Sequence, residues 1–179
     1  RGAAAASPVA IATPTGPIVD AKRAAAHLLR RAGFGGTTAE IEEFARLSRQ
    51  EAASRLVDFE TIDNSALEDR LARANLNLTY RQGLRRDMVR WWLMRMAYTA
   101  RPLEERMTLL WHGLLTTQVS QLPGMLAHLM IRQNELFRAH ALPVYEDLLQ
   151  AVSKDPAMMM YLNTIESTKE HPNENYARE

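Results

Sequence analysis

The sequence predicts an all-α protein: an irregular orthogonal array of many short helices, preceded by an extended N-terminal segment. Two observations lead to this fold class. Apolar residues recur at intervals of three to four along most of the chain, whereas sustained alternation of β-branched residues is absent. Capping boxes also recur, in which Thr or Ser is followed three residues later by Glu, as at Thr37 with Glu40 and at Ser48 with Glu51. Both patterns are typical of short amphipathic helices joined by tight turns.

Residues 1–19 differ from the rest of the chain in composition. They are mostly small, include several prolines and show no periodic pattern. Such a segment cannot bury enough apolar surface to offset its ordering entropy. We therefore expect 1–19 to be an extended or flexible segment, either a linker or the region behind a removed targeting segment. For 20–179 we expect one helical domain, the N-terminal portion of a larger domain that continues past Glu179.

The first half of this domain contains four predicted helices, and each follows a residue that suits a helix N-cap. The predicted starting residues are Asp20, Thr37, Ser48 and, for the fourth helix, Asn64 or Ser65. The first of these helices should end at Gly33, because glycine is favoured just past the end of a helix.

The second half begins with the strongest helical pattern, "GLRRDMVRWWLMRMAYTA". Pro102 suits the first position of the next helix, where its missing N–H costs nothing. The apolar residues of that helix share one side; they are Leu103, Met107, Leu110, Trp111 and Leu114. We expect "MTLLWHGLL" and "LPGMLAHLMI" to be buried helices. Further helices are expected around 123–140 and 143–153, after Asp155, and from Pro172 onward.

Composition narrows the classes of function. The formal net charge of +1 gives no electrostatic reason to expect nucleic-acid binding. The absence of cysteine excludes disulfides and thiolate metal sites. No apolar run reaches the roughly 18 residues of a membrane span. We therefore expect protein partners, no nucleic acid and no transmembrane span in this chain.

Four motifs in fixed order resemble a known family. They are "AAHLLRRAGFGG", "RPLEERMTLLWHGLLTT", "QNELFRAHALPVYEDLLQAVSKDPAMMMYLN" and "HPNENYARE". Together they resemble, over roughly 20–179, the amino-terminal part of the bacterial family known as domain of unknown function 1800. The resemblance implies a largely helical fold and, as in many members, export from the cytoplasm; it implies no established activity. Members often carry Trp-His-Asn-His-Phe after the Arg-Pro-Leu helix, whereas here Leu114 stands in place of the second His.

The motif "HPNENYARE" is the main candidate for chemistry. His171 and Glu174 are three residues apart, and together with His112 they would supply the three ligands of a divalent metal. The other polar residues of the motif are Asn173, Asn175, Arg178 and Glu179. A second interpretation needs no metal: the motif is a capped helix start with a Glu174–Arg178 ion pair at four-residue spacing. The sequence leaves both open, and it identifies no catalytic residue and no resident cofactor.

Two functions follow from these observations. The first is an exported structural or interaction subunit of a cell-envelope or membrane assembly, located in the periplasm or at the cell surface. The alternative is a metal-assisted hydrolytic enzyme whose site is completed by a C-terminal region missing from this chain.

Overall fold

The computed structural model describes residues 20–79, 84–142 and 144–178, and within these ranges it contains helices and no strand. The all-α fold class is therefore confirmed. The α-helices are α1 Ala21–Ala32, α2 Thr38–Phe44, α3 Arg49–Val57, α4 Ser65–Arg73, α5 Leu84–Tyr98, α6 Pro102–Leu114, α7 Leu129–Ala139, α8 Tyr145–Ser153, α9 Pro156–Tyr161 and α10 Glu174–Arg178. Single turns of 3₁₀ helix lie at Phe59–Thr61, Val119–Gln121, Gly124–Leu126 and Thr164–Glu166. The predicted extended segment 1–19 lies outside the described residues.

The predicted capping boxes are confirmed. The Glu40 backbone N–H donates to Thr37 Oγ1 at 3.3 Å, and the Thr37 N–H donates to Glu40 Oε2 at 2.6 Å. Ser48 and Glu51 repeat the arrangement at 3.2 and 2.8 Å. Each N-cap contributes about 0.5–2 kcal/mol to helix stability. These local signals explain why α2 and α3 begin where the sequence indicates.

Asn64 precedes α4 as predicted, but its side chain does not cap the helix. Its Oδ1 instead accepts a hydrogen bond of 2.9 Å from the backbone N–H of Ala100, and its Nδ2 donates to Thr99 Oγ1 at 3.3 Å. Asn64 therefore ties the start of α4 to the loop between α5 and α6.

Two apolar clusters account for much of the core. The first joins α1, α2 and α3 through Leu29, Phe44 and Leu56, with Leu103 of α6 packed against it. The second surrounds Phe137 of α7, which is fully buried; its other buried members are Leu148, Val152, Met158 and Leu162. Helix α7 thus contacts α6, α8 and α9 and forms the centre of the C-terminal half.

The buried side of α6 differs from the prediction. Its buried residues are polar, namely Glu104, Glu105 and Thr108. Leu110 and Leu114, expected in a buried helix, are 52% and 62% exposed. The reason is an ion pair: Arg138 Nε and Nη2 donate to the two carboxylate oxygens of Glu105 at 2.6 and 3.0 Å. Because Glu105 is buried against Arg138, the other side of α6, which carries Leu110 and Leu114, faces outward.

The stretch "LPGMLAHLMI" also differs from the predicted helix around 123–140. Its first half forms a 3₁₀ turn at Gly124–Leu126, and α7 begins at Leu129. Pro123 lacks a backbone N–H and Gly124 has low helix propensity, which together delay the helix. Met125 is 59% exposed, whereas Leu122 and Leu129 are buried.

No helix in the described ranges combines the length and the apolar character that crossing a membrane requires.

The central position of α7 gives a stability prediction. Phe137→Ala should lower the free energy of unfolding by about 3–5 kcal/mol, because truncating a fully buried ring leaves a cavity. Phe34→Ala is the matched control; that ring is 42% exposed, so its loss should cost about 1 kcal/mol or less. Denaturant unfolding followed by circular dichroism measures both. Equal losses for the two variants would contradict a core centred on α7.

Candidate functional site

A cavity of about 270 Å³ lies between α5, α6 and α7. Its walls are mostly apolar, with a few polar groups among them. The lining residues are Arg85, Met88, Val89, Trp91, Trp92, His112, Thr117, Gln118, Val119, Met130, Ile131 and Asn134. An apolar concavity with few polar groups is the usual form of a small-molecule site. We refer to it as the α5–α7 cavity.

His112 is the predicted site residue that lies in this cavity. Its ring meets Trp92 edge to face, with centroids 5.1 Å apart and planes at 85°, and lies 6.3 Å from the Phe137 ring. Burial lowers the pKa of His112 below its ordinary value of 6.5. The imidazole is therefore neutral at pH 7 and offers one hydrogen-bond donor and one acceptor.

Trp92 contributes an unpaired donor. Its Nε1 is buried and makes no hydrogen bond within the described residues. A buried donor without a partner costs about 1–3 kcal/mol.

One wall of the cavity is held by buried charges. The guanidinium groups of Arg95 and Arg138 lie over the Trp91 ring, 4.9 and 5.3 Å from its centroid. Arg138 also donates to Asn134 Oδ1 at 2.6 Å, and both guanidinium groups contact Glu105. Trp91 and Asn134, which line the cavity, are thereby fixed against α6.

A series of side-chain hydrogen bonds runs from the cavity to α9. Thr117 Oγ1 donates to Gln133 Oε1, and Gln133 Nε2 donates to Asp155 Oδ2 at 2.8 Å. The same Asp155 oxygen caps α9 by accepting from the Met158 N–H at 2.9 Å. Burial raises the pKa of Asp155. These hydrogen bonds link the cavity wall to the start of α9.

The C-terminal motif forms a capped helix start at the surface. Asn173 Nδ2 donates to the carbonyl of Leu162 at 2.7 Å, and its Oδ1 accepts from the Tyr176 N–H at 3.3 Å. Glu174 pairs with Arg178 at 3.2 Å, and both side chains are largely exposed. His171 is exposed in the preceding turn. This ion pair and the hydrogen bonds of Asn173 are the features expected if the motif is a capped helix start that binds no metal.

The described residues do not assemble the predicted metal ligands. No three His, Asp or Glu side chains in these ranges come close enough together to hold a metal ion. His112 lies in the α5–α7 cavity, whereas His171 and Glu174 belong to the C-terminal turn. The side chain of Asn175 and all of Glu179 lie outside the described residues. The metal site stays a prediction that requires further donors.

Sequence reasoning missed two features of the cavity. One is Trp92 as an unpaired donor, which no sequence pattern reveals. The other is Asn134, and here a signal existed: Asn134 and Arg138 lie four apart on a helix, a spacing at which side chains meet.

The neutral state of His112 predicts a pH dependence. Because the folded pKa lies below the ordinary value, the unfolded chain binds this proton more readily. The stabilisation is present above about pH 6.5 and is lost as the pH falls through the folded pKa. The wild type should therefore lose more unfolding free energy than His112→Gln between about pH 7.5 and about pH 5. Denaturant titrations at each pH measure the difference, and parallel profiles would contradict a buried neutral His112.

Comparison with known proteins identifies the family. No curated protein and no solved structure shows significant similarity to the chain. The family described as "Protein of unknown function (DUF1800)" matches residues 27–179, which include α2 to α10 and the second half of α1. The match covers the four motifs that suggested the resemblance, apart from two residues at the start of the first. The chain belongs to the DUF1800 family.

Proposed function

We propose that the chain is a helical interaction domain of an exported protein, a structural or interaction subunit of a cell-envelope or membrane assembly. One observation carries the proposal: a set of large apolar side chains on α6, on α8 and before α8 is between 42% and 67% exposed. We refer to it as the α6–α8 surface. Its residues are Leu110, Leu114, Leu142, Val144, Tyr145 and Leu149.

Contacts of Trp111 join the two parts of this surface. The indole Nε1 donates to the carbonyl of Ala141 at 3.0 Å, and the ring lies 5.9 Å from that of Tyr145. Leu110 precedes Trp111 on α6, and Leu142 follows Ala141 before α8. Trp111 therefore connects α6, which carries Leu110 and Leu114, to the start of α8.

The composition of the α6–α8 surface suits protein binding. Groups of exposed large apolar side chains often mark interaction sites, whereas single exposed apolar residues are normal on a protein surface. Glu146 and Asp147 are exposed in the first turn of α8, beside Tyr145. An apolar centre with a charged rim is the usual anatomy of a protein interface.

Location outside the cytoplasm is part of the same proposal. It is supported by the composition of residues 1–19, which are small, contain prolines and fit the region behind a removed targeting segment.

Metal-assisted hydrolysis remains the alternative. It requires His171 and Glu174 to meet donors beyond those that the described residues bring together.

The α6–α8 surface can be tested in the native bacterium. A photo-activated cross-linker at position 114 of the full-length protein should yield a discrete higher-mass product in intact cells, because this surface contacts a partner. The charge substitutions Tyr145→Glu and Leu149→Glu should reduce that product about tenfold or more, since each introduces a carboxylate into the apolar centre.

Position 57 is the matched control, because Val57 is an apolar residue of α3 with 51% exposure. A cross-linker there should give no such product, and Val57→Glu should not alter the product from position 114. Equal products from both positions would contradict a specific interface. Recovery of the protein in the cytoplasmic fraction alone would contradict export.

A further inference from the structure

The size of the α5–α7 cavity limits what it can hold. Its volume is about 270 Å³. An engineered apolar cavity of roughly 150 Å³ accommodates benzene, and pockets for drug-sized molecules span about 300–1,000 Å³. The α5–α7 cavity therefore suits a molecule with a single ring and a short side chain, or an alkyl chain of similar volume.

The lining of the cavity favours a ligand with an apolar body. Trp91 and Trp92 contribute aromatic side chains, against which a ring or an alkyl chain can pack. Met88 and Met130 add thioethers that adapt to the shape of a ligand, and Ile131 adds an aliphatic group. Removing apolar ligand surface from water is therefore the main source of affinity that this cavity offers.

Arg85 adds a positive charge at the opening of the cavity. It lies in the first turn of α5, it is exposed, and it also lines the cavity, so it stands where the cavity meets solvent. It makes no ion pair with another described residue. Among the lining residues that the structure describes, neither Asp nor Glu accompanies it.

The other charges of α5 have the same sign. Arg86 and Arg90 are exposed on the same helix as Arg85. Asp87 is the one acidic residue of α5; it is buried, it accepts a hydrogen bond of 3.0 Å from the Asn77 N–H, and Arg86 lies 3.3 Å from it. A ligand that enters beside Arg85 therefore meets a positive potential, which favours an anion and disfavours a cation.

We propose that the α5–α7 cavity is a binding site for a small amphiphilic anion, whose apolar body fills the cavity and whose anionic group pairs with Arg85. A carboxylate suits this role, because a guanidinium group can donate two parallel hydrogen bonds to it. The site goes beyond the proposed interaction function, because it uses none of the residues of the α6–α8 surface. The apolar walls supply most of the affinity, and Arg85 supplies the preference for an anion.

Three probes with the same body test the proposal. Phenylpropanoate, phenylpropanamide and phenylpropylamine share a ring and a short chain, and at neutral pH they are anionic, neutral and cationic. Isothermal titration calorimetry and ligand-observed NMR on the full-length protein should show saturable binding of phenylpropanoate. The amide should bind roughly 2- to 5-fold more weakly, the factor expected for one exposed ion pair, and the amine should bind most weakly.

A charge substitution locates the anionic group. Arg85→Gln should lower the affinity for phenylpropanoate to that for the amide, because it removes the positive charge that lines the cavity. Arg90→Gln is the matched control: it removes the same charge from an exposed position on the same helix that does not line the cavity. This control should keep the preference for the anion.

A steric substitution locates the apolar body. Val119→Trp places a large side chain in the cavity and should abolish saturable binding of phenylpropanoate and the amide. Ile165→Trp is its control, because Ile165 is 59% exposed on a 3₁₀ turn that does not line the cavity, and it should bind the probes like the wild type.

Four results would overturn the proposal. They are absence of saturable phenylpropanoate binding to the wild type, an unchanged preference for the anion in Arg85→Gln, equal loss of that preference in Arg90→Gln, and wild-type affinity in Val119→Trp. Circular dichroism and thermal unfolding establish that each variant is folded. If Val119→Trp does not fold, the comparison of Arg85→Gln with Arg90→Gln decides.

Discussion

The packing of α5, α6 and α7 depends on a buried carboxylate. Glu105 is fully buried, and removing an ionised carboxylate from water costs several kcal/mol even after the protein relaxes. Arg138 offsets that cost with two hydrogen bonds to the carboxylate oxygens, and an Arg95 nitrogen lies 3.8 Å from one of them. Because these charges must meet, the three helices can pack in few alternative ways.

Several features follow from this constraint. Helix α6 turns Glu105 inward, so Leu110 and Leu114 face outward and form part of the α6–α8 surface. Helix α7 is fixed against α6, which places Phe137 at the centre of its cluster. The guanidinium groups of Arg95 and Arg138 lie over the ring of Trp91, and Trp91 lines the α5–α7 cavity. The exposed surface and the cavity therefore share one physical origin.

The sequence predicted the features that local interactions determine. Capping at Thr37 and Ser48 depends on a glutamate three positions further along the chain. The Glu174–Arg178 ion pair joins residues four positions apart. Such signals are visible in a short window of sequence. The fold class and the family were predicted for a related reason, since periodicity and ordered motifs are also properties of the chain itself.

Features that depend on distant contacts were not predicted. The buried side of α6 is determined by the contact of Glu105 with Arg138, 33 residues further along the chain. No local pattern in the sequence shows that this glutamate is buried while two leucines of the same helix are exposed. The cavity and the burial of the unpaired Trp92 N–H both depend on how the helices meet, so neither has a sequence signature. His112 was identified as a candidate, but its surroundings are aromatic and apolar, whereas the metal hypothesis placed it beside His171 and Glu174.

A double-mutant cycle on Glu105 and Arg138 tests the central role of this pair most directly. The variants are Glu105→Leu, Arg138→Met and the combination of both, measured by denaturant unfolding. Each single change leaves a buried charge without its main partner and should cost about 3–5 kcal/mol. The combined change should cost roughly 2–3 kcal/mol less than the sum of the two. Additive losses, or single losses below about 1 kcal/mol, would show that the packing of α5, α6 and α7 does not depend on the buried pair.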